Sequence, residues 1–383
     1  MPRRTCCLTL LLAAVAALPA AADDDMARLL KQVRAVGSEG AGSPEARAAW
    51  DRLVACGPAV LPPLLEAMDT PDTVVANWLR SAFDRIVDKA AGAGGKGIDA
   101  DALLRFARDP KRQGRARRLA LDVVEGLRPG TRTSLLRGWM DDPEFRHDAI
   151  EQALADLDRD KEAPADRRVV ALRRLFAATR DLPQSQAVAV RLKGLSAPVS
   201  VADHFGFLRD WYVIGPFDAR DMKGFRANYP PEEKVDLAAS YEGKGKAIGW
   251  KRYRSPEATG GTHVALVNLR EPLGDAADAV AYAYTAFEAD KAREIQFRGA
   301  ADDNLTVWVN GERVFGFEEY RNGVRFDRHR FRVRLKKGVN TVLVKVCQAP
   351  ADPAHPEPNW EFLLRICDAA GKGLPFKGAL PEK

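Results

Sequence analysis

The apolar positions of this chain change period part-way along it. From residue 26 to about 195 they recur every three or four residues, the spacing of one helix face. Ala46, Trp50, Leu53 and Val54 share a face that Gly57 ends. Leu61, Leu64, Leu65 and Met68 share the next, opened by Pro62 and Pro63 in its first turn. Thr70-Pro71-Asp72 has the composition of a helix start, with Thr70 as N-cap and Pro71 at the first helical position. Behind it Val75, Leu79, Ala82, Phe83 and Ile86 form a stripe. Ala116, Ala120, Val123, Val124 and Leu127 repeat it, as do Phe145, Ala149, Ala153 and Leu157, and then Leu172, Leu175 and Phe176. Helices with one apolar face and short links predict an all-α array stacked as antiparallel pairs, or an irregular bundle, since no clean period recurs.

Past residues 196–207, which read as a linker, the period drops to two. Strands are predicted over 211–214, 248–253, 264–268, 280–287, 294–297 and 360–366. Between them stand two predicted hairpins, 305–315 around Asn310-Gly311 and 331–346 around a Gly-Asn turn. Short strands with turn residues between them predict an antiparallel β-sandwich. The 383 residues suffice for two cores: a helical domain over 26–195 and a sandwich over 208–375.

Several segments resemble a known family. WYVIGPFD (211–218), NYPPE (228–232), GAADDNLTVWVNGERVF (299–315) and KKGVNTVLVKV (336–346) resemble the galactose-binding-like jelly-roll modules of exported bacterial proteins. The VWVNG hairpin also resembles a sandwich domain that accompanies some glycoside hydrolases. AAWDRLVACGPAVLPPLLEAM (48–68) resembles a HEAT-type repeat. The combination looks like multidomain secreted proteins of planctomycete-type bacteria. The resemblance covers 205–370, and 45–160 more loosely. It implies a fold that often binds carbohydrate, and it brings no catalytic residues.

Residues 1–22 read as a signal peptide: Arg3 and Arg4, an apolar run over 6–18, Pro19, then Ala20-Ala21-Ala22 before Asp23. The run is too short to span a bilayer, and no later segment is apolar enough. The expected location is therefore the periplasm or the exterior. The formal charge of +6 includes the two leader arginines. Beyond the leader stand Cys56, Cys347 and Cys367. If 347 and 367 lay on one hairpin across 348–359, register would hold them too far apart to bridge.

Literal motif matches fail on context. GAGGKG (92–97) follows a helical pattern where a dinucleotide fingerprint needs a strand. Asp156, Asp158 and Asp160 begin like a calcium loop, but Lys161 and Arg167 stand where glycine and an acid belong. The five histidines have no metal-ligand spacing, and no motif indicates a cofactor. Asn304-Leu305-Thr306 is a glycosylation sequon.

Two sets of residues are candidate binding sites. In LTVWVN, Leu305, Val307 and Val309 alternate inward, which puts Thr306, Trp308 and Asn310 on the other face. Trp308 is then a stacking platform for a sugar ring, with Asp302, Asp303 and Asn304 as acceptors for hydroxyls or a calcium ion. The same acids also fit a plain chain turn. In RHRFRVRL, Arg328, Arg330, Arg332 and Arg334 form an outward ladder suited to an anionic partner, or to guarding a sheet edge. The usual pairing of basic groove and stacking aromatics for nucleic acid is not evident. The expectation is a non-catalytic exported protein, its sandwich taking carbohydrate and its helices a protein partner. A pure assembly module and a hydrolase using loop carboxylates remain alternatives.

Overall fold

The computed structural model describes residues 20–37, 40–219, 221–259, 263–321, 323–354 and 359–382. Residues 1–19 of the predicted leader and His355 lie outside them. Contacts divide the chain into two compact units, 1–145 and 146–383.

The first unit is helical: α1 (Ala20–Arg34), α2 (Ser43–Ala55), α3 (Leu61–Ala67), α4 (Thr73–Ala91), α5 (Ala100–Arg108), α6 (Gly114–Leu127) and α7 (Thr131–Leu136). The predicted stripes form its core. Leu53, Leu61, Leu64, Leu79, Phe83 and Val124 are all buried. The start of α4 differs from the expectation. Its N-cap is Asp72, whose carboxylate accepts the N–H groups of Val74 and Val75. An aspartate there satisfies free backbone donors and meets the positive end of the helix dipole. GAGGKG falls in the connection from α4 to α5, as expected.

The second unit opens with α8 (Arg146–Arg159), α9 (Ala165–Ala178), α10 (Leu182–Gly194) and α11 (Val201–Phe205). The helical stretch read as one array thus contributes to both units. The segment read as a linker holds α11, whose Ala202 and Phe205 are buried. Gly206 follows at φ 74°, and a Cβ there would meet the Ile366 carbonyl at 2.3 Å. Only glycine allows the chain to pass so close to that strand.

The strands among the described residues follow: β1 (Asp210–Asp218), the ribbon β2 (Ser240–Glu242) and β3 (Ala247–Gly249), β4 (Lys251–Arg254), the short β5 (Ala258–Thr259) and β6 (His263–Val264), β7 (Val267–Asn268), β8 (Ala279–Ala289), β9 (Arg293–Ala301), β10 (Leu305–Val309), β11 (Glu312–Phe317), β12 (His329–Leu335), β13 (Gly338–Gln348), β14 (Glu361–Cys367) and β15 (Lys377–Gly378). Two antiparallel sheets carry the fold. The larger runs β11-β10-β13-β8-β1-β4, with β15 also pairing to β8; the smaller runs β12-β9-β14-β7. Their facing side chains, among them Trp211, Phe297, Val307, Val344, Trp360 and Phe362, make one sandwich-like core.

The Asn310-Gly311 turn forms as expected, with φ 53° and 84°, joining β10 to β11. The second predicted hairpin does not form. β12 pairs with β9 in the small sheet, whereas β13 pairs with β8 and β10 in the large one. The chain changes sheets between them. The buried Asn340 side chain holds that corner: its oxygen accepts from Lys336 N, and its nitrogen donates to the carbonyls of Lys336 and Gly338. β13 and β14 also belong to different sheets, so Cys347 and Cys367 share no hairpin. With Cys56 they are free thiols.

Candidate functional site

The loops at the end of the large sheet where β1 and β13 finish hold most of the predicted ligand set. Asp302 and Asp303 are buried, and their carboxylates face the backbone. Asp302 accepts from Gly323 N; Asp303 accepts from Arg321 N at 2.6 Å and Ala349 N at 2.7 Å. They fasten the backbone at Arg321 and Gly323 and the end of β13. Asn304 is fully buried. Neither end of its amide makes a well-aligned hydrogen bond, although the Tyr320 hydroxyl and the Cys347 thiol lie close enough to feel it. Burial pushes that thiol up to about 12, so it stays protonated at neutral pH. Thr306 is buried as well, so the sequon is closed in the folded chain.

Burial pushes the Asp303 carboxyl up to about 6, against the two backbone donors and Arg321, with Asp302 adding to the rise. The folded state therefore holds this proton more tightly than the unfolded chain. Its contribution to stability is full below pH 3.8 and falls as pH rises through about 6. That loss is about 3 kcal/mol at ~1.4 kcal/mol per unit. Urea midpoints at pH 4 and pH 7 should show a smaller decline in Asp303→Asn than in the wild type; parallel profiles would remove the assignment.

Trp308 lies half-buried on the outer face of the large sheet, within a second apolar cluster that includes Tyr212, Ile214, Tyr282 and Leu343. The excursion between β1 and β4 covers this face. Inside the cover sits a charge that sequence reading did not single out. Lys345 is 2% exposed; its ammonium donates to Glu232 Oε1 at 2.7 Å, Ala227 O at 2.6 Å and Phe225 O at 3.3 Å. The Tyr282 hydroxyl donates to the same Glu232 oxygen. Lys345 also lies 5.1 Å from the centre of the Tyr229 ring. A buried ammonium needs such partners, since an unpaired one would cost several kcal/mol. The effect is to pin residues 225–232 to the sheet.

Beside this pin opens a cleft of about 620 Å³. Phe217 and the half-buried Tyr229 supply its aromatic wall, and Asn228, Asp218, Glu242 and Lys223 its polar lining. The Tyr229 hydroxyl donates to Asp218 O at 2.7 Å, which fixes the ring. The Lys244 ammonium donates to the carbonyls of Ala277 and Asp278 and lies 3.8 Å from the Asp218 carboxylate. The cleft thus offers an apolar ring flanked by donors and acceptors.

The arginine ladder lies on β12, the edge of the small sheet. Arg330, Arg332 and Arg334 are exposed, alternating with buried Phe331, Val333 and Leu335. Arg332 lies 3.5 Å from Glu294 on the neighbouring strand. Arg328 precedes the strand and leaves the row. It pairs with Glu319 at 2.6 Å and covers the Phe317 ring.

No protein-family model matches this chain, and no curated protein matches it. Among the described residues no group of three or more acids, histidines or cysteines is placed to hold a metal ion, and no helix is long and apolar enough to cross a membrane.

Proposed function

We propose that this chain is an exported, non-catalytic binding protein whose sandwich-like unit takes carbohydrate. In this reading residues 1–22 are a signal peptide, the helices are a HEAT-like scaffold for a protein partner, and the strands are a galactose-binding-like jelly roll of the kind found in secreted planctomycete-type proteins. The observation that carries it is the cleft beside Tyr229. A sugar presents an apolar ring face and a rim of hydroxyls. The first suits the tyrosine ring, and the second suits Asn228, Asp218, Glu242 and Lys223. The ligand set moves from Trp308 and the acidic turn to this cleft, because those side chains already pack against the protein. The arginine row supports a second reading, an acidic polysaccharide bound along β12. Arg330 and Arg334 have no ion pair among the described residues.

A panel of neutral and acidic polysaccharides separates the two. Binding should fall at least about tenfold in Asn228→Ala and in Lys223→Ala, both exposed positions, and persist when Arg330, Arg332 and Arg334 become Ser. Loss only in the arginine variant, with strong salt dependence, would move the site to β12. Release of reducing ends, abolished by Glu242→Gln or Asp218→Asn, would sink the non-catalytic reading, since glycoside hydrolysis uses two carboxylates about 5–10 Å apart.

A further inference from the structure

The first unit carries an apolar groove of about 630 Å³ that the carbohydrate reading leaves without a role. Its walls are stripes on two helices. Phe83, Val87 and Ala91 follow one another at four-residue intervals on α4, and Leu119, Val123 and Leu127 do so on α6. Such spacing leaves a channel of the width a third helix fills. The rim carries three acids, Asp84, Asp88 and Asp122, and one base, Arg80. Asp84 and Asp122 form exposed ion pairs with Arg80 and Arg132, whereas Asp88 has no cationic partner among the described residues.

The second unit presents a helix face of matching chemistry. Val170 on α9 is 70% exposed, as is Val190 on the neighbouring α10; no described hydrophobic side chain of similar size is more open. Arg167, Arg173 and Arg174 flank Val170, with one acid, Asp166, at the fourth neighbouring position; all four are exposed and have no ion pair among the described residues. Arg167 to Arg174 spans seven residues, ~10 Å of helix, the same length as Asp84 to Ala91 along the groove. One apolar knob among three arginines and an acid, on two turns of helix, fits an apolar channel among three acids and an arginine.

We propose that the groove between α4 and α6 receives the α9 face of a second copy of this chain. Val170 seats between Val87 and Val123, and an arginine of α9 meets Asp88. The surfaces at the two ends differ, so the contact is heterologous: it closes a dimer if two copies satisfy each other reciprocally, and otherwise adds copies head to tail. The buried area is small, so association is weak and salt-sensitive.

Sedimentation velocity of the full chain over a concentration series, up to about 0.5 mM, tests this. The weight-average mass should rise with concentration at low salt and fall back as salt is added. Val170→Asp and Asp88→Arg should each weaken association at least about tenfold, while both variants keep the wild-type melting temperature, since both positions are exposed. Combining Asp88→Arg with Arg174→Asp in one chain should restore part of the association. A chain that stays monomeric throughout, or associates equally well in both single variants, overturns the proposal. So does a monomer that binds a synthetic arginine- and leucine-rich helical peptide and loses it in Asp88→Arg; the groove would then belong to another protein.

Discussion

Replacing Asp327 with alanine should cost the second unit about 3–5 kcal/mol, a large share of the stability of an ordinary domain. Asp327 is the carboxylate shared by two buried guanidiniums. Arg365 Nε and Nη2 donate to its two oxygens at 2.6 and 2.7 Å, and Arg298 Nη1 donates at 2.7 Å. The arginine side chains are 1% and 8% exposed. Burial pushes the Asp327 carboxyl up, yet the two arginines outweigh it and hold it below the usual carboxylate range. Arg365 also donates to Phe205 O and Gly371 O, and lies over the rings of Phe205 and Phe326. This network ties α11 and the 368–374 turn to the outer face of the small sheet. Alanine leaves two positive charges buried without a counter-charge, and that, more than the lost attraction, sets the cost. Asp327→Asn should be nearly as harmful, because an amide keeps the shape and loses the charge. Replacing Asp327, Arg298 and Arg365 together by apolar residues of similar volume should be milder than either single change. Urea unfolding followed by tryptophan fluorescence reads all three. A wild-type midpoint in the alanine variant would refute the account.

Lys345→Met should cost about 3 kcal/mol and loosen the cleft as well. The change strands Glu232, whose side chain is only 13% exposed, with the Tyr282 hydroxyl as its remaining side-chain partner. It also frees the carbonyls of Phe225 and Ala227. The cleft wall at Ala227, Asn228 and Tyr229 then loses its anchor, so affinity for any cleft ligand should drop together with stability. The double change Lys345→Met with Glu232→Leu removes both charges and should recover part of the stability without recovering affinity. Full stability in Lys345→Met would show that the pair is not what pins the cover.

The two periods were enough to tell where helices give way to strands, because burial of one face imposes 3.6 on a helix and 2 on a strand whatever the neighbours are. They also placed Arg330, Arg332 and Arg334 outward on β12, and Asn310-Gly311 at its turn, where positive φ is a local demand. Tertiary structure decided the rest. The apparent hairpin at 331–346 splits between sheets, since alternation records which face is buried and is silent about which strand lies alongside. On β13 the outward positions Leu343 and Cys347 are apolar although Thr341 and Lys345 share their face, a partial sign that this outer face is covered too. That cover turns Trp308 from a platform into packing and makes Lys345 a buried anchor. Asp302 and Asp303 are polar enough for a ligand in any sequence. They bond backbone N–H groups here because Arg321, Gly323 and the end of β13, distant along the chain, arrive within hydrogen-bond reach. The cleft beside Tyr229 is made from segments at 217–230 and 242–245, and the groove from α4, α6 and the loop between α4 and α5. Concave surfaces of this kind exist only once separate elements meet, so no local pattern announces them.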